Sequence, residues 1–394
     1  MKRIFFLYIF CLTTVFAQTA NDFLKTGRQY SDFQNYEKAI EFYSKAIELN
    51  PILTDAYFNR GIAFYFENKC EDAIEDYTKV LELDAQYPGV YFRRGVAFVV
   101  TKMFDEAIED LSKAIDVNQN NDYAFFSRGY AFFNQKKYDA AIKDYSKAIE
   151  LGLKTADVYY FQGKAFFEVE NYFEAVIDFT KAIELDNKYT AAYKSRGNAY
   201  SKLNNGERAI GDFTEVIEIS PNDAEAFNDR GLVYIKDNRL REAIIDFTRA
   251  IEIDSTDAFA YHCRGNVYFR NEGYEKAILD YGKSLELEPN DKYNICNIGY
   301  AYYELKDFDQ AIKYFNMATA IDKSYVDSYL GLAMIHFVSG DYSNAKLKFN
   351  QAKKIIPELN NGMEGIKILE KEGSWFPENK IEILKKMFEM FNNN

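Results

Sequence analysis

The 394-residue sequence contains little of what catalytic and metal-binding proteins rely on. It has two histidines, four cysteines and one tryptophan, and no Cys-x-x-Cys pair occurs. Neither His262 nor His336 has a second histidine or a cysteine at metal-ligand spacing. The signatures of a nucleophile elbow, a phosphate-binding loop and a His-Glu-x-x-His zinc site are also missing. We therefore expect no enzyme activity, no metal site and no cofactor.

Positive charge is also in short supply. The sequence has 61 acidic and 48 basic residues, which gives a formal net charge of −13 at pH 7. A chain of this charge is repelled by the phosphates of nucleic acids and by anionic lipid headgroups. We therefore expect neither nucleic acid nor an anionic membrane surface as a partner.

Long apolar runs are confined to the start of the chain. Residues 4–16 are largely apolar, follow Lys2 and Arg3, and end in Val15-Phe16-Ala17. This pattern predicts a signal peptide over residues 1–17, cleaved after Ala17; an uncleaved anchor is the alternative, although the run is short for a bilayer span. No other stretch could span a bilayer, so no membrane insertion is expected after cleavage. We expect an exported, periplasmic or extracellular protein, and the lack of Asn-x-Ser/Thr acceptors favours a bacterial envelope.

What the sequence has in abundance is a single spacing of 34 residues. A glycine recurs nine times at this spacing, at Gly27, Gly61, Gly95, Gly129, Gly163, Gly197, Gly231, Gly265 and Gly299. An alanine recurs ten times at the same spacing, from Ala39 to Ala345. A fixed period of this size indicates a stack of similar helical or strand units rather than one compact core.

The residues inside one repeat predict two helices. With the first repeat starting at Ala20, positions 4, 8 and 11 lie on one face of a first helix, and positions 20, 24 and 27 on one face of a second. Glycine in a helix costs about 1 kcal/mol relative to alanine, so its recurrence at position 8 indicates a close backbone approach. We expect the two helices to cross there, with aromatic residues at positions 4, 11 and 24 filling the seam to the next repeat.

These residues resemble the tetratricopeptide repeat (TPR) family. The family pattern has large apolar residues at 4 and 7, Gly at 8, an aromatic residue at 11, Ala at 20, an aromatic residue at 24, Ala at 27 and Pro at 32. The resemblance covers residues 20–358 as ten 34-residue repeats, although the tenth has Ala333 at position 8. It implies an all-α fold, a right-handed superhelical solenoid of helix-turn-helix repeats whose first helices line a concave groove.

The period stops after Pro357. Met363, Ile366 and Leu369 predict one further helix, and a second helix after Pro377 carries an apolar stripe of Ile381, Leu384, Met387, Phe388 and Phe391. A solenoid needs its last apolar face covered, so residues 359–394 are predicted to be C-terminal capping helices. Docking of a partner around Trp375 is the alternative.

Two charged positions change together along the repeats. Position 7, where the family has a large apolar residue, is arginine in six repeats, and position 23 of the same repeats is aspartate; the arginines are Arg60, Arg94, Arg128, Arg196, Arg230 and Arg264. Repeats 1, 9 and 10 lack both residues, and repeat 5 has Gln162 with Asp178. This covariation predicts an ion pair within each repeat, and a row of arginines that binds anions is the alternative.

Three cysteines remain after the predicted cleavage, and an odd number argues against a disulfide framework. Cys263 and Cys296 lie in adjacent repeats, where a bridge is conceivable and two free, half-buried thiols are favoured.

The resemblance implies that positions 2, 5, 6, 9, 12 and 13 face the groove. In repeats 2 to 5 the candidate ligand-binding residues are aromatic, namely Phe58, Phe92, Phe126, Tyr130, Tyr160 and Phe161. In repeats 6 to 8 the candidates are basic or amide residues, namely Lys194, Asn198, Asn228, Lys236, Asn266 and Arg270. This pattern suits a protein or extended peptide with an acidic portion as the ligand. For aromatic residues at position 12, packing between helices is the alternative to ligand binding. The carboxylate clamp of chaperone-binding family members is broken, because Asp229, Phe259 and Cys263 occupy its later positions.

The function expected from these features is that of a non-catalytic scaffold or assembly factor of the cell envelope, with its ligand in the concave groove. Two alternatives stay open. Aromatic grooves also stack on sugars, so a carbohydrate- or cell-wall-binding module is one, and the non-catalytic arm of an enzyme complex is the other.

Overall fold

The computed structural model describes residues 19–361, 367 and 378–392, and the regular structure of these residues is entirely helical. The predicted signal peptide and the helix expected around Met363, Ile366 and Leu369 lie outside the described residues, as does Trp375. The chain divides into two units, Met1–Leu203 and Asn204–Asn394.

The first unit holds eleven described helices. They are α1 (19–32), α2 (Tyr36–Leu49), α3 (Thr54–Phe66), α4 (Cys70–Leu83), α5 (Val90–Val100), α6 (Phe104–Val117), α7 (Asp122–Asn134), α8 (Tyr138–Leu151), α9 (Ala156–Glu168), α10 (Tyr172–Leu185) and α11 (Thr190–Lys202). Neighbouring helices pack as hairpins, such as α7 with α8, and each hairpin also packs on the next.

The second unit repeats this arrangement. Its helices are α12 (Gly206–Ile219), α13 (Ala224–Lys236), α14 (Leu240–Ile253), α15 (Ala258–Arg270), α16 (Tyr274–Leu287), α17 (Lys292–Glu304), α18 (Phe308–Ile321), α19 (Val326–Val338) and α20 (Tyr342–Ile355), then a short 3₁₀ helix (Pro357–Asn361) and α21 (Glu378–Asn392). The all-α repeat fold implied by the residues of each repeat and by the family resemblance is confirmed.

Within each unit, the repeat glycines at position 8 face the aromatic or leucine side chain at position 24 of their own repeat. A Cβ atom placed on Gly129 would lie 2.9 Å from Cε1 of Tyr145, and one on Gly61 would lie 2.8 Å from Cε1 of Tyr77. Tyr77 and Tyr145 are both fully buried. The expected close approach is therefore confirmed, but the group that requires the glycine is a side-chain ring rather than the backbone of the second helix.

The turn within each repeat uses a left-handed residue at position 15. Lys136 has φ 60°, and its N–H donates to Phe133 O at 2.9 Å while the N–H of Lys137 donates to Phe132 O at 2.9 Å. These two bonds form a Schellman motif that ends α7 and satisfies its last carbonyls. Nine repeats place a non-glycine residue in this conformation, and the tenth uses Gly340.

The predicted ion pairs lie between the two helices of a repeat. The Arg128 guanidinium donates from Nε and Nη2 to the two carboxylate oxygens of Asp144, both at 2.8 Å. The same bidentate geometry occurs at Arg60–Asp76, Arg94–Asp110, Arg230–Asp246 and Arg264–Asp280. These five pairs are confirmed; Arg196 and Asp212 fall in different units, and their pairing stays a prediction.

A hydroxyl of the preceding repeat completes each arginine site. Arg128 Nη1 donates to Ser112 Oγ at 3.0 Å, and Arg60 Nη1 donates to Ser44 Oγ at the same distance. The guanidinium carbon of Arg128 also lies 5.6 and 5.9 Å from the ring centroids of Phe125 and Phe132. The arginine therefore joins two helices of its own repeat to the second helix of the repeat before it.

Repeats without the arginine make other side-chain contacts at these positions between their two helices. In repeats 1 and 9 position 23 is aromatic and stacks on the aromatic residue at position 11, with centroid distances of 5.3 Å for Tyr30–Phe42 and 5.6 Å for Tyr302–Tyr314. In repeat 5, Gln162 donates to Ser146 Oγ at 2.6 Å. Within the described residues no donor reaches Oδ2 of the buried Asp178, and burial raises the pKa of this carboxyl to about 7.

Helix α21 covers the last repeat. Phe388 and Phe391 lie against Phe349, with ring centroids 4.9 and 6.1 Å apart, and Leu384 and Met387 are buried beside them. Cys263 and Cys296 of the same unit are free and buried. The favoured prediction of two free thiols is confirmed, and both are more deeply enclosed than expected.

Candidate binding surfaces

The first helices of the fourth and fifth repeats bring five aromatic rings together. Phe161 of α9 lies 5.1 Å from Tyr130, 5.3 Å from Tyr160, 6.1 Å from Phe126 and 6.5 Å from Phe133, measured between ring centroids. All five side chains are partly exposed. We call these residues the α7–α9 aromatic cluster; four of them were predicted as ligand-binding residues from the sequence.

A cation lies over this cluster. Lys164 Nζ is 5.3 Å from the ring centroid of Phe133 and 5.7 Å from that of Tyr160. A lysine held over ring faces keeps its charge in solvent while its stem covers apolar surface. The cluster is therefore a mixed aromatic and cationic surface, which suits a ligand with apolar groups and negative charge.

The other candidate ligand-binding residues of the first unit lie outside this cluster and differ in exposure. Phe58 lies 4.8 Å from Tyr87 and 6.0 Å from Tyr77 between ring centroids, so one side of its ring is covered. Phe92 is partly exposed, with the Arg93 guanidinium carbon 6.0 Å from its ring centroid. On α11, Lys194 is partly exposed and Asn198 is exposed.

The second unit contains a cavity of about 690 Å³. First helices α13, α15, α17 and α19 line it, together with parts of α16 and the start of α21. Its wall combines aromatic residues such as Tyr293 and Tyr325 with the carboxylates of Glu288, Asp291 and Asp327. This size is within the usual range for a ligand site.

A chain of hydrogen bonds forms one side of the cavity. Tyr281 OH donates to Asn266 Oδ1 at 2.8 Å, and Asn266 Nδ2 lies 2.8 Å from His262 Nε2. His262 Nδ1 lies 2.6 Å from Asn294 Oδ1, and Asn294 Nδ2 donates to Ser284 Oγ at 2.8 Å. These partners are all satisfied when His262 is neutral and carries its proton on Nδ1. The network stiffens the cavity wall and needs no ligand to complete it.

The predicted basic and amide ligand-binding residues of the second unit differ in their exposure to solvent. Asn228 is only 6% exposed and donates to Asp257 Oδ2 at 2.6 Å, while Asn266 belongs to the hydrogen-bond chain of the cavity. Lys236 and Arg270 are exposed, and Arg270 donates to Ile235 O and Asn238 Oδ1, both at 3.4 Å. The two cations therefore remain the solvent-facing part of this candidate set.

One residue of the cavity wall was not expected from the sequence. Lys380 of α21 is only 1% exposed, and its Nζ lies 3.8 Å from the ring centroid of Tyr300 and 4.9 Å from that of Phe269. Its spacing to Leu384, Met387 and Phe391 places it on the apolar stripe of α21. That spacing is the signal that could have identified it.

Among the residues that the structure describes, no group of three or more His, Cys, Asp or Glu side chains is arranged to hold a metal ion. Nor does that part of the chain contain a helix both long and apolar enough to cross a membrane.

Family models described as tetratricopeptide repeat or TPR repeat match successive stretches of the sequence. The matched stretches are 27–67, 58–124, 123–151, 156–189, 191–223, 231–272, 258–291 and 295–325. The chain belongs to the tetratricopeptide repeat family. TPR folds typically serve as non-catalytic scaffolds that bind proteins or peptides, and the matching models indicate no catalytic family.

Individual proteins resemble parts of this TPR chain. An uncharacterized protein of Methanocaldococcus jannaschii is 43% identical over 44 residues, which are 11% of this chain and about half, 51%, of that relative. The C-terminal part of a TPR repeat-containing protein from Cytophaga hutchinsonii superposes with a TM-score of 0.55 at 20% identity, covering 61% of this chain and 99% of that one. YrrB, a TPR protein with an unusual peptide-binding site, gives 0.37 at 22% identity, covering 56% and 97%.

Proposed function

We propose that this TPR protein is an exported scaffold or assembly factor of the cell envelope that binds a protein through an extended peptide segment. The observation that carries the proposal is the α7–α9 aromatic cluster, which presents five partly exposed rings on adjacent first helices. Aromatic groups in such a patch supply large contact area at low entropic cost, as binding hot spots do.

The charge of the partner follows from the cations near this surface. Lys164 lies over the cluster, and Lys194 of the same unit follows on α11. In the second unit, Lys236 and Arg270 are exposed. The partner segment is therefore apolar where it meets the rings and acidic where it meets the lysines, and its binding weakens as salt screens these charges.

The test uses the mature chain and two matched variants. Tyr130→Ser with Phe161→Ser removes two rings of the cluster, whereas Phe173→Ser removes an aromatic ring that is 72% exposed on the second helix α10. Partners captured from envelope extracts and identified by mass spectrometry should be lost only with the cluster variant, at an almost unchanged melting temperature.

Two results contradict the proposal. Equal capture by both variants shows that the cluster is not the binding surface, and a large drop in melting temperature for the cluster variant shows that its rings are core. Binding to a glycan array without protein capture points instead to a carbohydrate-binding module.

A further inference from the structure

Lys380 lies in a pocket of the second unit that several repeats line. Its ammonium group lies near Phe269 of α15 and near Tyr300 and Glu304 of α17, and Asp327 of α19 lines the same cavity, so residues of three different repeats surround it. These residues occupy positions 12, 9, 13 and 2 of their repeats, which are groove positions in the family pattern. The repeats thus form an aromatic and acidic pocket for one cationic side chain, and α21 supplies that side chain.

The pocket is suited to a cation by two separate effects. The rings of Tyr300 and Phe269 lie 3.8 and 4.9 Å from the Lys380 Nζ and attract it through their electron-rich faces. Glu304 Oε1 lies 3.9 Å from the same nitrogen. Asp327, only 6% exposed, adds a further negative charge to the surroundings of the ammonium group.

Lys380 leaves the acidic side of the pocket only partly satisfied among the described residues. Burial lowers the pKa of its ammonium group to about 8, although Glu304 acts in the opposite direction. Glu304 Oε1 is buried and accepts no hydrogen bond from the described residues. A buried carboxylate oxygen without a donor is costly, so docking of α21 gives up part of the stabilisation that the pocket can offer.

The rest of α21 shows what accompanies the cation. From Lys380, the residues at +4, +7, +8 and +11 are Leu384, Met387, Phe388 and Phe391, and each is at most 8% exposed. Phe391 also lies 6.0 Å from Phe337 between ring centroids. A single helix thus presents one buried lysine and an apolar stripe to the repeats, which is the pattern used in helix-in-groove peptide recognition.

Space that the described residues leave unfilled continues from the pocket. The cavity of about 690 Å³ that Lys380 lines extends along Tyr293, Tyr325, Glu288 and Asp291. The cavity wall carries three carboxylates, those of Glu288, Asp291 and Asp327, against one guanidinium, that of Arg270, so this space suits a ligand that carries further positive charge. Helix α21 itself begins with Glu378 only two residues before Lys380 and does not supply such charge.

We propose that the surface formed by α15, α17, α19 and α20 recognises an amphipathic helix of a partner protein, with a lysine followed by apolar residues at +4, +7, +8 and +11, and that α21 occupies this site as an internal competitor. The lysine enters the pocket of Phe269, Tyr300 and Glu304, and the apolar residues pack against Phe337 and Phe349, as those of α21 do. A partner helix binds by displacing α21. Since α21 is covalently attached through residues 362–377, it competes at a high effective concentration and holds the site closed until a better ligand is present. This inference specifies a partner for the second unit and rests on the scaffold function only in requiring that the chain bind proteins.

The probe is a fluorescein-labelled peptide of residues 378–392, added to full-length chains. Lys380→Glu should release α21 and lower the Kd of the peptide at least 10-fold relative to the unchanged chain. Lys385→Glu makes the same charge change at an exposed position of the same helix and should leave the affinity unchanged. A peptide with methionine in place of Lys380, one of its three lysines, should bind the Lys380→Glu chain at least 10-fold more weakly than the parent peptide.

If the peptide binds the Lys380→Glu and Lys385→Glu chains with equal affinity, α21 is not an internal competitor. If the parent and methionine peptides bind the Lys380→Glu chain equally well, the pocket does not recognise lysine. If Lys380→Glu lowers the overall helicity, Lys380→Met keeps the apolar stem and serves instead. Hydrogen exchange of residues 378–392 should then be faster than in Lys385→Met, and unchanged protection also overturns the proposal. None of these measurements involves the α7–α9 aromatic cluster, so their failure leaves the proposed function of the first unit standing.

Discussion

Arg128 and Asp144 form a bidentate ion pair across the two helices of the fourth repeat, with both nitrogen–oxygen distances at 2.8 Å. The side chains are only 19% and 8% exposed. Ser112 of the third repeat accepts a further hydrogen bond from the same guanidinium at 3.0 Å. This arrangement links the internal alignment of one repeat to its packing on the repeat before it.

The first prediction concerns the energy of this pair. Arg128→Leu leaves Asp144 buried without its cation, and the loss of unfolding free energy should be large, up to the 3–5 kcal/mol typical of a broken buried pair. Arg128→Leu with Asp144→Tyr should be more stable than Arg128→Leu alone, because repeats 1 and 9 place stacked aromatic residues here. Urea unfolding of the two single variants and the double variant measures the coupling energy, and simple additivity contradicts a specific pair.

The second prediction concerns the left-handed turn residue. Lys136 has φ 60°, a conformation that costs a side-chain-bearing residue about 1–2 kcal/mol, whereas glycine adopts it freely. After allowing for the greater entropy of unfolded glycine, Lys136→Gly should raise the unfolding free energy by about 0.5–1 kcal/mol. Gly340→Lys is the reverse change at the same repeat position and should lower it. A stability change of the same sign in both variants contradicts the role assigned to this turn.

The repeat architecture could be predicted because a similar residue pattern recurs in ten repeats. Arg128 stands for a position whose neighbour, Asp144, can be inferred from covariation inside one sequence. The hydroxyl acceptors were missed, although Ser44, Ser112 and their equivalents keep the 34-residue spacing; a serine in a helix has many possible partners and thus gives a weak signal.

The site was less predictable than the fold. Four of the proposed aromatic residues do meet in the α7–α9 aromatic cluster, since repeat geometry sets their positions. Asn228 was proposed on its position alone, and its burial against Asp257 depends on a neighbour that no periodicity specifies. The environment of Lys380 was beyond sequence reasoning, because α21 lies outside the repeats and its docking depends on contacts far apart in the chain.

The third prediction concerns export. Small residues at −3 and −1 are needed for cleavage of a signal peptide, and Val15 and Ala17 fill these positions. The native protein from an envelope fraction should begin at Gln18, which N-terminal sequencing determines. Ala17→Tyr should block processing, while Thr14→Tyr, outside these two positions, should not. An intact Met1 in a soluble cytoplasmic pool contradicts the export proposal.

The fifth repeat has an aspartate whose charge is not compensated as in its neighbours. Gln162 replaces the arginine and donates to Ser146 Oγ at 2.6 Å, and burial raises the pKa of Asp178 to about 7, from 3.8 in an unperturbed carboxyl. A raised folded-state pKa means that the folded chain holds this proton more tightly than the unfolded chain. Its contribution to stability is fully present below pH 3.8 and is lost as the pH rises through about 7.

The fourth prediction follows from that sign. Asp178→Asn removes the ionisation, so this variant should gain unfolding free energy over the unchanged chain as the pH rises from 5 to 8. The gain is at most about 3 kcal/mol, because about two pH units separate pH 5 from the pKa of about 7 and each is worth about 1.4 kcal/mol. Gln162→Arg should also stabilise the chain at pH 8, because it supplies the cation that Arg128 provides in the repeat before. Asp144→Asn is the matched control and should destabilise the chain at pH 8, since it leaves Arg128 without its carboxylate. Urea unfolding at both pH values measures these differences, and an equal effect of Asp178→Asn at pH 5 and pH 8 shows that this carboxyl does not ionise in that range.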